Sequence, residues 1–201
     1  MKTSLLGLSL LLTSFSSLAA EPVIKDYGYF YNVPEHVSDL NQAQFKIAFD
    51  VGKGAEKGVQ NNHINSLARF INMHVAHGVK PENIQLALVV HGGASVDVLK
   101  NSDYKARFEK DNKTESLIKQ LLANNTQVYV CGQSATHMKV EADQLIPGVQ
   151  MALSAMTAHA QALDHHLTAL IASFERAAQG ACRRADECAG NRAFGIGHII
   201  I

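Results

Sequence analysis

The chain alternates short apolar segments with longer segments in which apolar residues recur every three or four positions. Four short segments predict strands: Phe45 to Val51 by alternation, Ile84 to Val90 and Val128 to Val130 as continuous apolar runs, and Val149 to Leu153. A continuous apolar run is typical of a strand that is covered on both faces of its sheet. The pattern therefore predicts a sheet whose middle strands are buried.

The segments between these strands have helical spacing. Helices are predicted over Asn62 to His77, over Thr114 to Ala123, over Ala135 to Val140 with Ser134 as N-cap, and from Ala155 onward. Residues 21–43 are predicted as an extended lead-in, and residues 100–113 form a polar stretch rich in Lys, Asp and Asn. Strands that alternate with helices favour a layered α/β fold with a mainly parallel sheet of about four to five strands.

Polar and small residues collect where the predicted strands end. Ligands of parallel α/β sheets bind at the carboxyl ends of the strands, so these residues define a candidate site. The candidate residues are Asp50, His91, Gly92, Gly93, Cys131, Gly132, Gln133, Ser134 and Ser154.

Cys131 is the candidate reactive group at this edge, because it ends an apolar strand and immediately precedes a helix start. Unpaired N–H groups there stabilise a thiolate and make the sulfur more nucleophilic. His91 is expected to act as a base or as a cation beside the thiolate. The alternatives are a cysteine that only packs and a histidine that is hydrogen-bonded at a strand end. A cysteine–histidine hydrolase is disfavoured, because no hydrolase motif surrounds Cys131.

The first twenty residues predict a secretory signal peptide. Lys2 precedes the apolar run Leu5 to Leu12, and small residues lead to a cleavage point after Ala19 or Ala20. We expect a soluble periplasmic protein without a membrane span, because no later run reaches about 18 apolar residues. The formal net charge is +0, which gives no reason to expect nucleic acid or an anionic membrane surface as a partner.

The three cysteines and ten histidines suggest further sites, which we weigh in turn. Cys182 and Cys188 could close a local disulfide, which would leave Cys131 as the unpaired thiol. His74 and His77 lie three apart on one helix, and His159 lies with His165 or His166 on another, but no zinc-protease motif is present. We therefore expect solvent-facing histidines, and predict neither a metal nor a cofactor.

Three blocks of the chain resemble a known family. They are His91-Gly92-Gly93-Ala94, Val128-Tyr129-Val130-Cys131-Gly132-Gln133-Ser134 and Leu145-Ile146-Pro147-Gly148-Val149. Together they are similar to exported members of the DsrE/DsrF-like family over roughly residues 44 to 163. The resemblance implies a three-layer α/β fold, homo-oligomers and sulfur-relay chemistry, with a persulfide on a cysteine at the position of Cys131.

Two functions follow as expectations from this resemblance. The first is a periplasmic persulfide carrier or sulfurtransferase component that uses Cys131, with a sulfur donor or acceptor protein as partner. The alternative is a non-catalytic oligomeric module that binds a small ligand or partner and has a structural cysteine. The reactivity and pKa of Cys131 discriminate between them.

Residues 164–201 depart from the family pattern, in which the chain finishes soon after the last helix with a short strand. This tail runs on through Cys182 and Cys188 to Ile201. It is either an atypical helical extension, or the product of a reading-frame change near Ala160. The core is expected to be complete without it.

Overall fold

The computed structural model describes residues 21–36, 39–40 and 42–162. Within them, one sheet of four parallel strands has the order β1-β2-β3-β4. The strands are β1 (Phe45–Val51), β2 (Ile84–Val90), β3 (Thr126–Cys131) and β4 (Val149–Ala152). The predicted signal peptide, the Cys182 and Cys188 pair and residues 164–201 lie outside the described residues.

Helices connect the strands, as the spacing predicted. They are α1 (Asn62–Ala76), α2 (Asn101–Phe108), α3 (Glu115–Ala123), α4 (Gly132–His137) and α5, described over residues 155–162. Asn61 caps α1, because its side chain accepts hydrogen bonds from the backbone N–H groups of His63 and Ile64. The sequence pattern missed α2, because Tyr104 is its only buried residue and its other positions are mostly polar. The α/β fold with a parallel sheet is confirmed.

One face of the sheet carries large apolar side chains and packs against α1 and α3. We call it the large-residue face. Every second side chain along a strand points to this face. The buried or half-buried residues that do so are Phe45, Ile47, Phe49, Ile84, Leu86, Leu88, Val90, Val128 and Val130. Residues of the helices, among them Leu67, Ile71, Leu117 and Leu121, complete this cluster. It forms most of the hydrophobic core.

The opposite face carries mainly small side chains, and we call it the small-residue face. Ala48, Ala87, Val89, Tyr129 and Ala152 form it, and α5 covers it with Ala155, Ala158 and Ala162. Small side chains on both sides let the helix approach the sheet closely. The next strand positions along this face carry the candidate site.

The lead-in before β1 is irregular but well anchored on the helices. The Asn72 side chain donates to the backbone oxygens of Ile24 and Tyr27 and accepts from the Ile24 N–H, with all three contacts at 2.9 Å. Gly28 donates its N–H to Asn65 Oδ1 at 2.8 Å. The predicted lead-in is therefore part of the folded domain.

No helix within the described part of the chain is both long enough and apolar enough to cross a membrane.

Candidate functional site

Side chains alternate between the two faces along each strand, and this alternation places the main candidate residues on one face of the sheet. Val89 pairs with both Asp50 and Tyr129 in the register, and all three point to the small-residue face. His91 and Cys131 each lie two residues beyond Val89 and Tyr129, so they belong to the same face. The parallel strands thus bring Asp50, His91 and Cys131 to one edge, as the sequence predicted.

Cys131 is a buried thiol surrounded by hydrogen-bond donors. It is 5 % exposed and forms no disulfide with any other described residue. Burial raises the pKa of its thiol, but donors outweigh that effect and hold the pKa below its ordinary value. These donors are the backbone N–H and hydroxyl of Ser134 and the backbone N–H groups of Ala155 and Gln133. Each of them presents an N–H or O–H dipole to the sulfur, and such dipoles stabilise the thiolate over the thiol.

Ser134 has a different role from the helix cap that the sequence predicted. Helix α4 begins at Gly132 with Cys131 in the N-cap position, so Ser134 lies inside the helix and that prediction is wrong. Its hydroxyl oxygen accepts a hydrogen bond from the Gly92 N–H at 2.9 Å, and the same hydroxyl is one of the groups that lower the pKa of Cys131. An N–H that donates to the hydroxyl oxygen makes the hydroxyl a better donor. Ser134 therefore links the end of β2 to the thiol.

The Asp50 carboxylate is hydrogen-bonded to two histidines. His91 Nε2 lies 2.8 Å from Asp50 Oδ2, and His159 Nε2 lies 2.8 Å from Asp50 Oδ1. Burial raises the pKa of Asp50, but the hydrogen bonds from His159 and His91 outweigh it and hold the pKa below the ordinary value. A carboxylate can only accept, so both Nε2 atoms carry protons. In each neutral imidazole, Nδ1 then remains as a proton acceptor.

The glycine loop after β1 makes room for His91. A Cβ at Gly52 would lie 2.6 Å from His91 Cε1, and one at Gly54 would lie 2.4 Å from the Gly93 oxygen. The buried Asp97 anchors this loop. Its carboxylate accepts hydrogen bonds from Asn61 Nδ2 at 2.7 Å and from the Ala55 N–H at 3.0 Å. The loop therefore lies so close to His91 and to the Gly93 backbone that neither Gly52 nor Gly54 has room for a side chain. Gly93 itself is exposed.

The remaining predicted residues lie around the start of α5. Ser154 accepts the Thr157 N–H at 3.0 Å and so caps this helix. Gln133 is exposed, and its side chain donates to the Leu153 oxygen at 3.3 Å. Gly132 faces the Ala152 oxygen, 2.7 Å from where a Cβ would stand. These contacts place the first N–H of α5, that of Ala155, at the cysteine.

Sequence reasoning missed His159 as a site residue. The spacing Ala155, Ala158, His159 and Ala162 puts this histidine beside the alanines that face the sheet. The sequence-based expectation of a solvent-facing histidine is met only in part by His159, whose side chain is 34 % exposed and which α5 carries across the sheet to Asp50. Two local clusters result, one around Cys131 and one around Asp50, and the Gly92–Ser134 contact joins them. The groups that lower the pKa of Cys131 do not include His91.

Nothing in the described ranges forms a group of three or more His, Cys, Asp or Glu side chains that could hold a metal ion. The carboxyl edge of the sheet offers a stabilised thiolate, two imidazoles with defined tautomers and a carboxylate between them.

The fold and this edge together define a class: a parallel α/β protein with a thiol at the carboxyl end of a central strand. The model of the DsrE/DsrF-like family matches residues 46–170. The chain therefore belongs to the DsrE/DsrF-like family.

Comparison with solved structures includes a protein of unknown function, MTH1491, from Methanobacterium thermoautotrophicum. The two chains are 14 % identical, with a TM-score of 0.44 over 61 % of this chain and 95 % of the other. No curated protein matches the chain.

Proposed function

We propose that the protein is a periplasmic persulfide carrier, or a component of a sulfurtransferase system, that uses Cys131. Membership of the DsrE/DsrF-like family is consistent with a sulfur-relay protein. The observation that carries the proposal is the set of four donors around the Cys131 sulfur, which lowers its pKa although the residue is buried. A lowered thiol pKa raises the fraction of thiolate, which is the nucleophile that sulfur transfer requires.

The reaction transfers one sulfur atom without net oxidation or reduction. The Cys131 thiolate attacks the outer sulfur of a donor persulfide, R–S–SH. A new S–S bond forms, the bond to the donor breaks, and R–S⁻ leaves with the electron pair. An acceptor thiolate then attacks the outer sulfur of Cys131–S–SH and regenerates the Cys131 thiolate. The same donors that stabilise the thiolate before the first step stabilise it as the leaving group of the second.

The Asp50 cluster has a supporting role in this proposal. Asp50 fixes the tautomers of His91 and His159, which leaves Nδ1 of each as a proton acceptor when the imidazole is neutral. One of them accepts the proton of an incoming thiol, and the carboxylate stabilises the imidazolium that forms. His91 therefore acts on the substrate side, whereas Ser134 and Ala155 act on Cys131.

The direct test is mass spectrometry of the mature protein before and after incubation with a sulfane-sulfur donor. We expect a gain of one sulfur atom on Cys131, which is lost with thiol reductant. Cys131→Ser abolishes the gain. The matched control is the double variant Cys182→Ser and Cys188→Ser, which keeps Cys131 and retains the gain. A gain that survives in Cys131→Ser would contradict the proposal.

Burial favours a second candidate, a binding module with a structural cysteine, because Cys131 is only 5 % exposed. In that case Cys131 reacts with alkylating reagents only after denaturation, and Cys131→Ser leaves partner or ligand binding unchanged. The sulfur-carrier proposal requires that the native protein reacts.

We also propose that the domain forms homo-oligomers through the outer edge of β4, which pairs with no further strand among the described residues. This edge lies beside exposed apolar side chains, since Met151, Leu153 and Met156 are 39 %, 73 % and 81 % exposed. Exposed strand edges and apolar patches are typical interaction surfaces. Met156→Glu should lower the sedimentation coefficient to that of a monomer. The control Val59→Glu changes an exposed residue far from this edge in sequence, and it should leave the oligomer intact.

We also propose that the protein is exported by a cleaved signal peptide, so that sulfur transfer by Cys131 takes place in the periplasm. The N-terminal sequence of the purified periplasmic protein should begin at residue 20 or 21. A sequence that begins at Met1 would contradict export by a cleaved signal peptide.

A further inference from the structure

A second cluster of titratable side chains lies at the other end of α1, away from the carboxyl edge of the sheet. It surrounds a surface pocket of about 220 Å³. The pocket is lined by Val33, His36, Leu40, Met73, His74 and His77. The sequence predicts solvent-facing histidines, but His36, His74 and His77 line one pocket.

His77 has an imidazole nitrogen that is buried and has no partner. Its Nδ1 lies 2.7 Å from the Met73 backbone oxygen, which can only accept, so Nδ1 carries the proton. In the neutral ring Nε2 then has a free lone pair, and this atom is buried without a hydrogen bond. A buried acceptor left unsatisfied destabilises the folded state, so a ligand that engages it is favoured. A histidine whose Nδ1–H is fixed by a backbone oxygen and whose Nε2 is free is arranged as metal ligands are.

The His36 ring lies next to the His77 ring. The ring centroids of His36 and His77 are 5.4 Å apart, with an angle of 68° between the planes. Two imidazoles bound to one tetrahedral ion, with metal–nitrogen distances of 2.0–2.1 Å, have centroids about 5 Å apart. The observed separation therefore fits two histidines that share one ion.

The other pocket residues decide which kind of ion fits. His74 packs at a tilt against Phe70 and edge-on against Phe45, with centroid distances of 3.9 and 4.5 Å, and it is not needed as a ligand. Met73 supplies a thioether at the pocket wall. A soft thioether with imidazoles selects copper, above all Cu(I), whereas structural zinc sites take four ligands. The C-terminal end of a 15-residue helix also favours a cation.

We propose that His36 and His77, with Met73, form a binding site for a single Cu(I) ion. The site has two imidazoles and one thioether. The described residues contain no group of three His, Cys, Asp or Glu side chains that could hold a metal ion, but this site needs only two histidines, because its third ligand is a methionine. The site is independent of the role of Cys131.

The test is an anaerobic titration of the full-length mature protein with Cu(I) against a chromogenic chelator. Cys131, Cys182 and Cys188 are replaced by Ser in every sample, because thiolates bind Cu(I) themselves. We expect one equivalent of Cu(I) per chain. His36→Ala and His77→Ala each weaken the affinity at least about tenfold, since even the loss of an outer-shell partner costs about 10–100-fold.

Two further variants separate a metal site from a structural effect. Met73→Leu keeps the volume of the side chain and should weaken Cu(I) without loss of thermal stability in the metal-free protein. His63→Ala removes an exposed histidine of the same helix that does not line the pocket, and should bind Cu(I) as the parent does. Equal affinity in all variants, or loss of affinity only where the protein unfolds, would overturn the site. Zn(II) affinity equal to that of Cu(I) would overturn its assignment to copper.

Discussion

The two faces of the sheet differ in both side-chain size and chemistry. The large-residue face carries Ile, Leu, Val and Phe under α1 and α3. The small-residue face carries alanines under α5, and continues into Asp50, His91 and Cys131 at the carboxyl edge. Because strand residues alternate between faces, the same four strands supply both.

This difference separates stability from chemistry. The large-residue face buries most of the apolar area, so it contributes most of the hydrophobic free energy. The small-residue face contributes less area but lets α5 lie close enough for Ala155 to reach Cys131 and for His159 to reach Asp50. Changes on the two faces should therefore have different consequences.

The largest expected effect is a loss of stability from truncation on the large-residue face. Leu88 is 0 % exposed at the centre of β2, so Leu88→Ala should lower the free energy of unfolding by about 2–5 kcal/mol. Urea denaturation measures this quantity. The matched control Val59→Ala, at a residue that is 51 % exposed and away from the β4 edge, should change it by less than about 0.5 kcal/mol. Equal effects of both variants would show that Leu88 is not in the core.

Enlargement on the small-residue face should have a smaller energetic effect but a larger chemical one. Ala87→Leu places extra volume beneath α5 and should cost about 1–3 kcal/mol. It should also slow alkylation of Cys131 near neutral pH, because α5 moves and the Ala155 N–H no longer reaches the sulfur. Ala123→Leu, at an exposed position of α3, is the control. An unchanged alkylation rate in Ala87→Leu would break the proposed connection between helix packing and the thiol.

The Asp50 cluster should contribute a small stability that depends on pH. The pKa of Asp50 is below its ordinary value of 3.8, so its stabilising effect is present above that pH and is lost as the pH falls through the lowered pKa. Asp50→Asn should therefore lower the melting temperature at neutral pH and make no difference in strong acid. The effect should stay below about 1 kcal/mol, since Asp50 is half-exposed. The control Asp143→Asn changes another exposed carboxyl group and should leave the melting temperature at neutral pH unchanged.

The order of the strands along the chain and the edge that carries the site could be predicted from the sequence, because both follow from apolar spacing. Alternation in Phe45–Val51 and the continuous run in Ile84–Val90 gave two strands close to their observed bounds. The polar helix α2 could not be recognised, since a helix stabilised by a single buried residue has almost no apolar period.

The partners within the site were harder to predict than its location. Ser134 has the residue type and position of a cap, and only tertiary contacts show that it bonds Gly92 and Cys131 instead. The contact between His159 and Asp50 joins residues 109 positions apart, and it depends on how α5 crosses the sheet. No local pattern contains that information.

The central claim is that hydrogen bonds at the end of the small-residue face make Cys131 a reactive thiol, and alkylation rates against pH test it most directly. The rates are measured on the native protein, with the labelled residue identified by mass spectrometry. In the parent, Cys131 should label with a midpoint below the ordinary thiol pKa. Ser134→Ala should raise that midpoint, whereas the control Thr136→Ala, at an exposed residue of the same helix, should not. Labelling of Cys131 only after denaturation, or equal midpoints in the parent and Ser134→Ala, would contradict the account.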